Sequence, residues 1–315
     1  MKQIPLDSKI LSVSHNDLDG AVSQIVLGNV YKNITYINQS FYKIDSCLES
    51  INYDQYDYVI LTDIAPSTDK LLDISDKIVL LDHHGSASTY ANGKKNRFVV
   101  EGICGAKLTK RFVEKMYDIK LTHLDDLVFL TNDYDLWIHE DSRSKQINDL
   151  MFYKYRPRKF REGFMDGRTT FTDEEKEYLE ERRLKFEEIY QALNVFEFDK
   201  IKGCIVQERE FINEIAERLM DEEDYRFIVI RNPSHGRVSI RHNLDDVDVG
   251  EILKELQWGG GHAQSAGMFS DSTKEFKERI NIIEQKVYDI SEDARTWLNY
   301  YTSVYLLWLG VRFVN

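Results

Sequence analysis

Short apolar runs alternate with stretches of helical spacing along the first 150 residues. Residues 10–14, 34–37, 56–61, 77–81 and 98–100 are apolar runs of strand length. Between the first two, residues 20–31 place Val22, Ile25 and Val26 on one helical face. Helical spacing returns over 105–116 and 123–131. Strands that alternate with helices predict βαβ units and a mainly parallel sheet.

The pattern changes after residue 150. The segment 151–170 contains the basic run YKYRPRKFREGFMDGR with Pro157, and its composition predicts a linker or mobile loop. Thr172 and Glu175 have the spacing of a capping box. They open a helix with Leu179, Phe186, Ile189, Tyr190 and Leu193 as its apolar stripe, a helix placed to bridge two domains. A second α/β pattern follows, with strands predicted at 201–207, 225–231 and 237–241 and helices at 211–220 and 249–256. The glycine-rich Gly259-Gly260-Gly261-His262 comes next. The expected organisation is a mainly parallel α/β domain over 1–150, a linker and bridging helix over 151–194, and a smaller α/β domain over 195–290. An apolar, aromatic docking segment over 291–315 completes it and is a candidate for homo-oligomer contacts.

Three predicted strands of the first domain run into polar residues of metal-ligand type. The first ends at His15-Asn16-Asp17-Leu18-Asp19-Gly20, the third at Asp63, the fourth at Asp82-His83-His84. Ligands of an open α/β sheet bind beyond the carboxyl ends of its strands, so these residues are expected to meet in one crevice. Imidazoles mixed with an excess of carboxylates suit divalent Mn, Fe, Co or Zn, and several crowded carboxylates call for cations between them. One bridging aspartate can hold two ions roughly 3.5–4 Å apart, the spacing that clamps phosphoryl oxygens. Asn132-Asp133-Tyr134-Asp135 adds two more carboxylates, either of which can complete the set.

The bulk composition narrows the field. A net charge of −13 over 315 residues excludes a long basic groove for nucleic acid. A small anionic ligand stays open, because bound cations invert the local field. Cys47, Cys104 and Cys204 are too few and too scattered for a disulfide framework, which points to a reducing, cytoplasmic setting. The first ten residues lack an apolar signal core, and the stretch 300–314 is too short for a membrane span.

These motifs, in this order, resemble those of the DHH phosphoesterases. The first motif is SHNDLDG at 14–20, the second TDIAPS around Asp63, the third Asp82-His83-His84, the fourth NDYDLW at 132–137. In the second domain GGGHAQSAG at 259–267 resembles the signature of the DHH-associated substrate domain. The resemblance implies a pair of Mn²⁺ ions, with Mg²⁺ or Co²⁺ as alternatives. His15, Asp17 and Asp63 would hold one ion, and Asp19, Asp63, His83 and Asp133 the other, with Asp135 as the alternative to Asp133. It implies that His84 contacts the substrate phosphate, that Asp82 orients the histidines, and that Asp63 serves catalysis as the bridge. It further implies substrate binding by Arg241, Gly259, Gly260, Gly261 and His262. Relatives often have serine after the arginine where this chain has His242, a departure that bears on the phosphate contacts. The SHNDLDG form is most similar to the oligoribonuclease type. The expectation is therefore an Mn-dependent phosphodiesterase or exonuclease that cuts short oligonucleotides to mononucleotides. Hydrolysis of phosphoadenosine phosphate or of a cyclic or linear dinucleotide is the alternative, as is a non-catalytic nucleotide-binding protein.

Overall fold

The computed structural model describes residues 3–85, 87 and 94–308; for His262 and residues 292–308 it describes the backbone alone. The chain forms two compact units that divide between residues 181 and 182.

The first unit is built on five parallel strands: β1 (Ile10–His15), β2 (Ile34–Gln39), β3 (Tyr58–Thr62), β4 (Ile78–Asp82) and β5 (Arg97–Val99). Their order is β2-β1-β3-β4-β5. The central strands β1, β3 and β4 are buried at almost every position because both sheet faces are covered. Alternation divides their side chains between two cores. Ile10, Ile60, Val79 and Leu81 join one core, while Leu11, Val13, Val59, Leu61, Ile78 and Leu80 join the other. Helices α1 (Leu18–Gly28), α3 (Gly105–Tyr117) and α4 (Asp125–Asp135) supply the first core, and α2 (Ile44–Ser50) the second. The chain leaves β1 for β2 on one side and returns to β3 on the other. The order therefore reverses between β1 and β3, and a crevice opens beyond their carboxyl ends.

The segment 151–170 is not a linker. It continues from α5 (Ser142–Asp149) through one wide π turn (Leu150–Tyr155) into α6 (Arg156–Phe164). Leu150, Met151, Phe160 and Phe164 are buried in the first core, and Phe160 and Phe164 stack at 4.2 Å. Its basic residues mask this stripe in the composition. One of them, Arg161, is itself buried, donating to Gln24 Oε1 at 2.6 Å and lying 3.8 Å over the Tyr36 ring.

Helix α7 (Asp173–Gln191) starts at the expected capping box. Thr172 N donates to Glu175 Oε2 at 2.7 Å, and Glu175 N donates to Thr172 Oγ1 at 3.2 Å. The second unit has a six-stranded mixed sheet of order β10-β11-β9-β8-β7-β6. The strands are β6 (Phe196–Glu197), β7 (Gly203–Gln207), β8 (Phe227–Arg231), β9 (Arg237–His242), β10 (Gly259–His262) and β11 (Ser265–Phe269). Only the β7–β8 pair is parallel. Helices α9 (Val249–Glu255) and α10 (Thr273–Trp308) cover one face through Leu253, Phe276, Ile280 and Ile283. Helix α8 (Ile212–Glu223) covers Cys204, Val206, Ile228 and Ile230 on the other. The docking segment expected over 291–315 continues α10 as backbone to Trp308, and residues 309–315 lie outside the described residues. Among the described residues no helix is long and apolar enough to cross a membrane.

Candidate functional site

The reversal between β1 and β3 gathers the polar strand ends. Ser14 Oγ donates to Thr62 O at 2.8 Å and so ties the end of β1 to the end of β3. Asp17 caps α1, accepting from Gly20 N at 3.0 Å. Gly20 is required there, since a Cβ would lie 2.2 Å from His15 O. Asp63, immediately after β3, has left-handed backbone (φ 56°), which turns the chain sharply at the sheet edge.

Around this point His15, Asp17, Asp19, Asp63, His83, His84 and Asp135 converge. Their ligand atoms form three overlapping groups, each spanning no more than 4.8 Å: His15, Asp17 and Asp63; Asp19, His83 and Asp135; Asp63, His83 and His84. His83 Nε2 lies 3.2 Å from Asp63 Oδ1 and 3.6 Å from both Asp19 Oδ2 and Asp135 Oδ2. His15 Nδ1 bonds Asp17 Oδ2 and lies 4.0 Å from Asp63 Oδ2. Neighbouring ligands on an octahedral ion with bonds of about 2.1 Å sit roughly 3 Å apart, so little contraction would seat a cation. Asp82, fully buried, accepts from His84 Nδ1 at 2.8 Å, which aims that ring, and from the backbone N–H of His83 at 2.9 Å.

Asp133 is not in this group. Its carboxylate accepts from Glu140 N at 2.8 Å and Asp141 N at 3.2 Å, and its place beside His83 is taken by Asp135. The sequence reading also missed the grip on Asp19. Both its oxygens accept backbone amides at the start of α3, from Gly105 N and Ala106 N at 2.6 Å each. A Cβ at Gly105 would lie 2.8 Å from Asp63 Cβ. The signal was the Cys104-Gly105-Ala106 helix start, which spacing alone does not connect to Asp19.

The electrostatics call for cations. Among the described residues no lysine or arginine pairs with Asp17, Asp19, Asp63 or Asp135. Buried Asp63 Oδ2 and Asp135 Oδ2 have no hydrogen-bond partner. Burial, then the charges of Asp17, Asp19 and Asp135, push Asp63 well above the usual carboxylate range. Burial, then Asp19 and Asp17, push Asp135 up to about 8. Burial alone would depress His84, but its bond to Asp82 and the surrounding carboxylates outweigh it and push the imidazole up to about 9. Orphaned buried oxygens and mutually repelling carboxylates fit a cluster of divalent cations.

The second unit carries a polar shelf. On the sheet face where α8 covers β7 and β8, the neighbouring positions are Arg241 and Ser239, then Ser265 and Gly267, then His262 and Gly260. The Arg241 guanidinium pairs with Asn213, donating to its Oδ1 from Nη2 at 2.9 Å, and with Ile240 O from Nη1 at 2.8 Å. Burial lowers its pKa, and no carboxylate pairs with it among the described residues. Asn213 was not foreseen. The glycines form strand β10, and two of its positions require glycine: a Cβ at Gly259 would lie 2.0 Å from Gly267 O and one at Gly261 2.5 Å from Ser265 O. A Cβ at Gly260 would meet no atom within 4 Å, which makes this residue the open point of the shelf. His242 belongs to the opposite face. Its Nε2 bonds Ala263 O at 2.8 Å, its Nδ1 accepts from Leu244 N at 3.2 Å, and its ring stacks on Phe227. It closes the core there and does not compete with Arg241. The His262 side chain lies outside the described residues.

Comparison with known proteins agrees in both units. The DHHA1 domain model matches residues 206–289. Oligoribonuclease NrnB of Bacillus subtilis is 25% identical over 289 residues, covering 81% of this chain and 71% of that protein. A 3′,5′-cyclic-nucleotide phosphodiesterase of Helicobacter pylori is 26% identical over 153 residues, 41% of this chain and 44% of the relative. The structure of PggH, a pGpG-specific phosphodiesterase from Vibrio cholerae, shares the fold with a TM-score of 0.59 at 11% identity, over 90% of this chain and 100% of that one.

Proposed function

Since the chain belongs to the DHH phosphoesterases, we propose that it is a phosphodiesterase that cuts short oligonucleotides to mononucleotides with a pair of divalent cations, Mn²⁺ first among them. The convergence of His15, Asp17, Asp19, Asp63, His83 and Asp135 without a balancing lysine or arginine carries this reading. His15, Asp17 and Asp63 would hold one ion, and Asp19, Asp63, His83 and Asp135 the other. When bound, the ions supply Lewis-acid activation of water and of the phosphoryl group. His84, protonated through its bond to Asp82, is placed to donate to a phosphoryl oxygen as charge grows there. Arg241, desolvated and free of a counter-ion, has donors for a substrate phosphate, and the shelf over Gly260 leaves room for it. The three cysteines are buried free thiols, which suits a reducing cytoplasm.

Di- to pentanucleotide RNA incubated with Mn²⁺ should release mononucleotides. Absence of release with Mn²⁺, Mg²⁺ and Co²⁺ would sink the proposal, as would full activity in Asp63→Ala. A second reading, hydrolysis of a cyclic or linear dinucleotide or of phosphoadenosine phosphate, draws support from the relative named as a cyclic-nucleotide phosphodiesterase. Including those compounds in the same panel separates the two.

A further inference from the structure

The loop after α4 has features that the metal centre does not use. Trp137 and His139 both have left-handed backbone, with φ of 57° and 55°. Bulky residues hold that conformation only where their surroundings dictate it. Here Asp133 dictates it. Its carbonyl accepts from Ile138 N at 2.9 Å and His139 N at 3.4 Å, while its carboxylate accepts the amides of Glu140 and Asp141. Trp137 N donates to Tyr134 O at 3.1 Å. The indole is supported by aromatic neighbours, with His139 at 4.4 Å and Tyr134 at 6.0 Å between centroids. Yet Trp137 is 52% exposed. A tryptophan of this size ordinarily gains by burial. This loop fixes it in a strained turn and leaves half of it to solvent.

Its position is what matters. Asp135, whose Oδ2 lies 3.6 Å from His83 Nε2, is two residues away. Two peptide links span at most about 7.6 Å between α-carbons, so Trp137 stands at the rim of the metal centre. Resting on the hydrolytic reading above, we propose that Trp137 is a stacking platform for a nucleobase of the substrate, with Asp133 as the positioning residue that sets the loop. The ligand is the planar base next to a phosphate held at the centre. An acidic chain has little long-range attraction for an oligonucleotide, and stacking supplies affinity that does not depend on basic side chains. Stacking tolerates any base, which suits trimming without a sequence requirement.

The test uses the full chain, adenylyl-adenosine (ApA), and the same dinucleotide with an abasic ribose in place of either nucleoside. Trp137→Ala should raise KM for ApA roughly tenfold with kcat within about twofold, and Trp137→Phe should restore most of the loss. For at least one abasic analogue the Trp137→Ala effect should disappear. In parallel, ApA should quench the indole fluorescence of the wild type, and Trp137→Phe should lack that component. An unchanged KM in Trp137→Ala, an equal rise with ApA and both abasic analogues, or a quench that Trp137→Phe retains would each overturn the stacking role. If the wild type does not turn over ApA or longer RNA, the hydrolytic reading fails, and the quenching comparison still decides the stacking.

Discussion

Asp133 and Asp135 lie at the end of one helix and have separate jobs. Residues two apart on a helix point roughly 200° away from each other. Only one of them can face His83, and the sequence does not say which. The fold decides it, because the amides of residues 138–141 return to Asp133. Asp135→Asn should abolish binding of one of the two ions by calorimetry and lower activity at least 100-fold. Asp133→Asn should keep both ions but cost about 1–3 kcal/mol of stability through weakened loop bonds. Its KM should rise more than its kcat falls. Equal loss of metal from both variants would argue for Asp133 as a ligand. The expectation that His242 bears on the phosphate contacts fails for a related reason. Adjacent strand residues face opposite ways, so a buried His242 does not crowd an arginine on the other face.

At the scale of elements, strands that end in ligand-type residues are the clearest signal, and the three that matter, β1, β3 and β4, lie within two residues of the bounds that the apolar runs predict. The failure was the segment 151–170. Its arginines and lysines dominate the composition, while Phe160 and Phe164, one turn apart, carry the burial. A four-residue apolar spacing inside a basic run outweighs the composition once a core is there to receive it. The capping box at Thr172 was legible because its chemistry is local. Glu175 does more than cap. It also accepts from Arg168 Nη1 and Nη2 at 2.9 and 2.7 Å and from Tyr155 OH at 2.9 Å. Burial opposes its charge, but these bonds prevail and hold the carboxyl down to about 2. The folded pKa is depressed, so this stability is present above the ordinary glutamate pKa and is lost as pH falls toward 2. Glu175→Gln should cost on the order of 2–3 kcal/mol at pH 7, and the difference from wild type should shrink steadily below pH 4.5 in urea titrations.

For the whole molecule, the acidic balance and the proposed metal centre are linked. Without cations Asp135 keeps its proton up to about pH 8, whereas in the unfolded chain it loses it near pH 4. The folded state thus binds more protons, and stability falls as pH rises between those values. His84, raised to about 9, acts in the same direction from its ordinary value upward. The chelated protein should therefore show a falling Tm from pH 5 to pH 9. Mn²⁺ needs the deprotonated carboxylate, so its binding should release protons, and its affinity should climb with pH until about 8. Calorimetry in buffers of different ionisation enthalpy counts those protons directly, and a pH-independent affinity would contradict the crowding of carboxylates described above.

The open side of Gly260 has a consequence for how such a protein diversifies. Its φ is not in the left-handed range, and a Cβ there meets no atom within 4 Å, unlike at Gly259 and Gly261. Position 260 thus has room for a Cβ, and alanine, serine, valine and leucine introduced in turn should leave the strand pairing intact. Each step should narrow the shelf and shift the preference toward smaller phosphate esters while Tm stays level. On the proposed reading, substrate size would be tuned through one glycine, independently of the residues proposed to hold the ions.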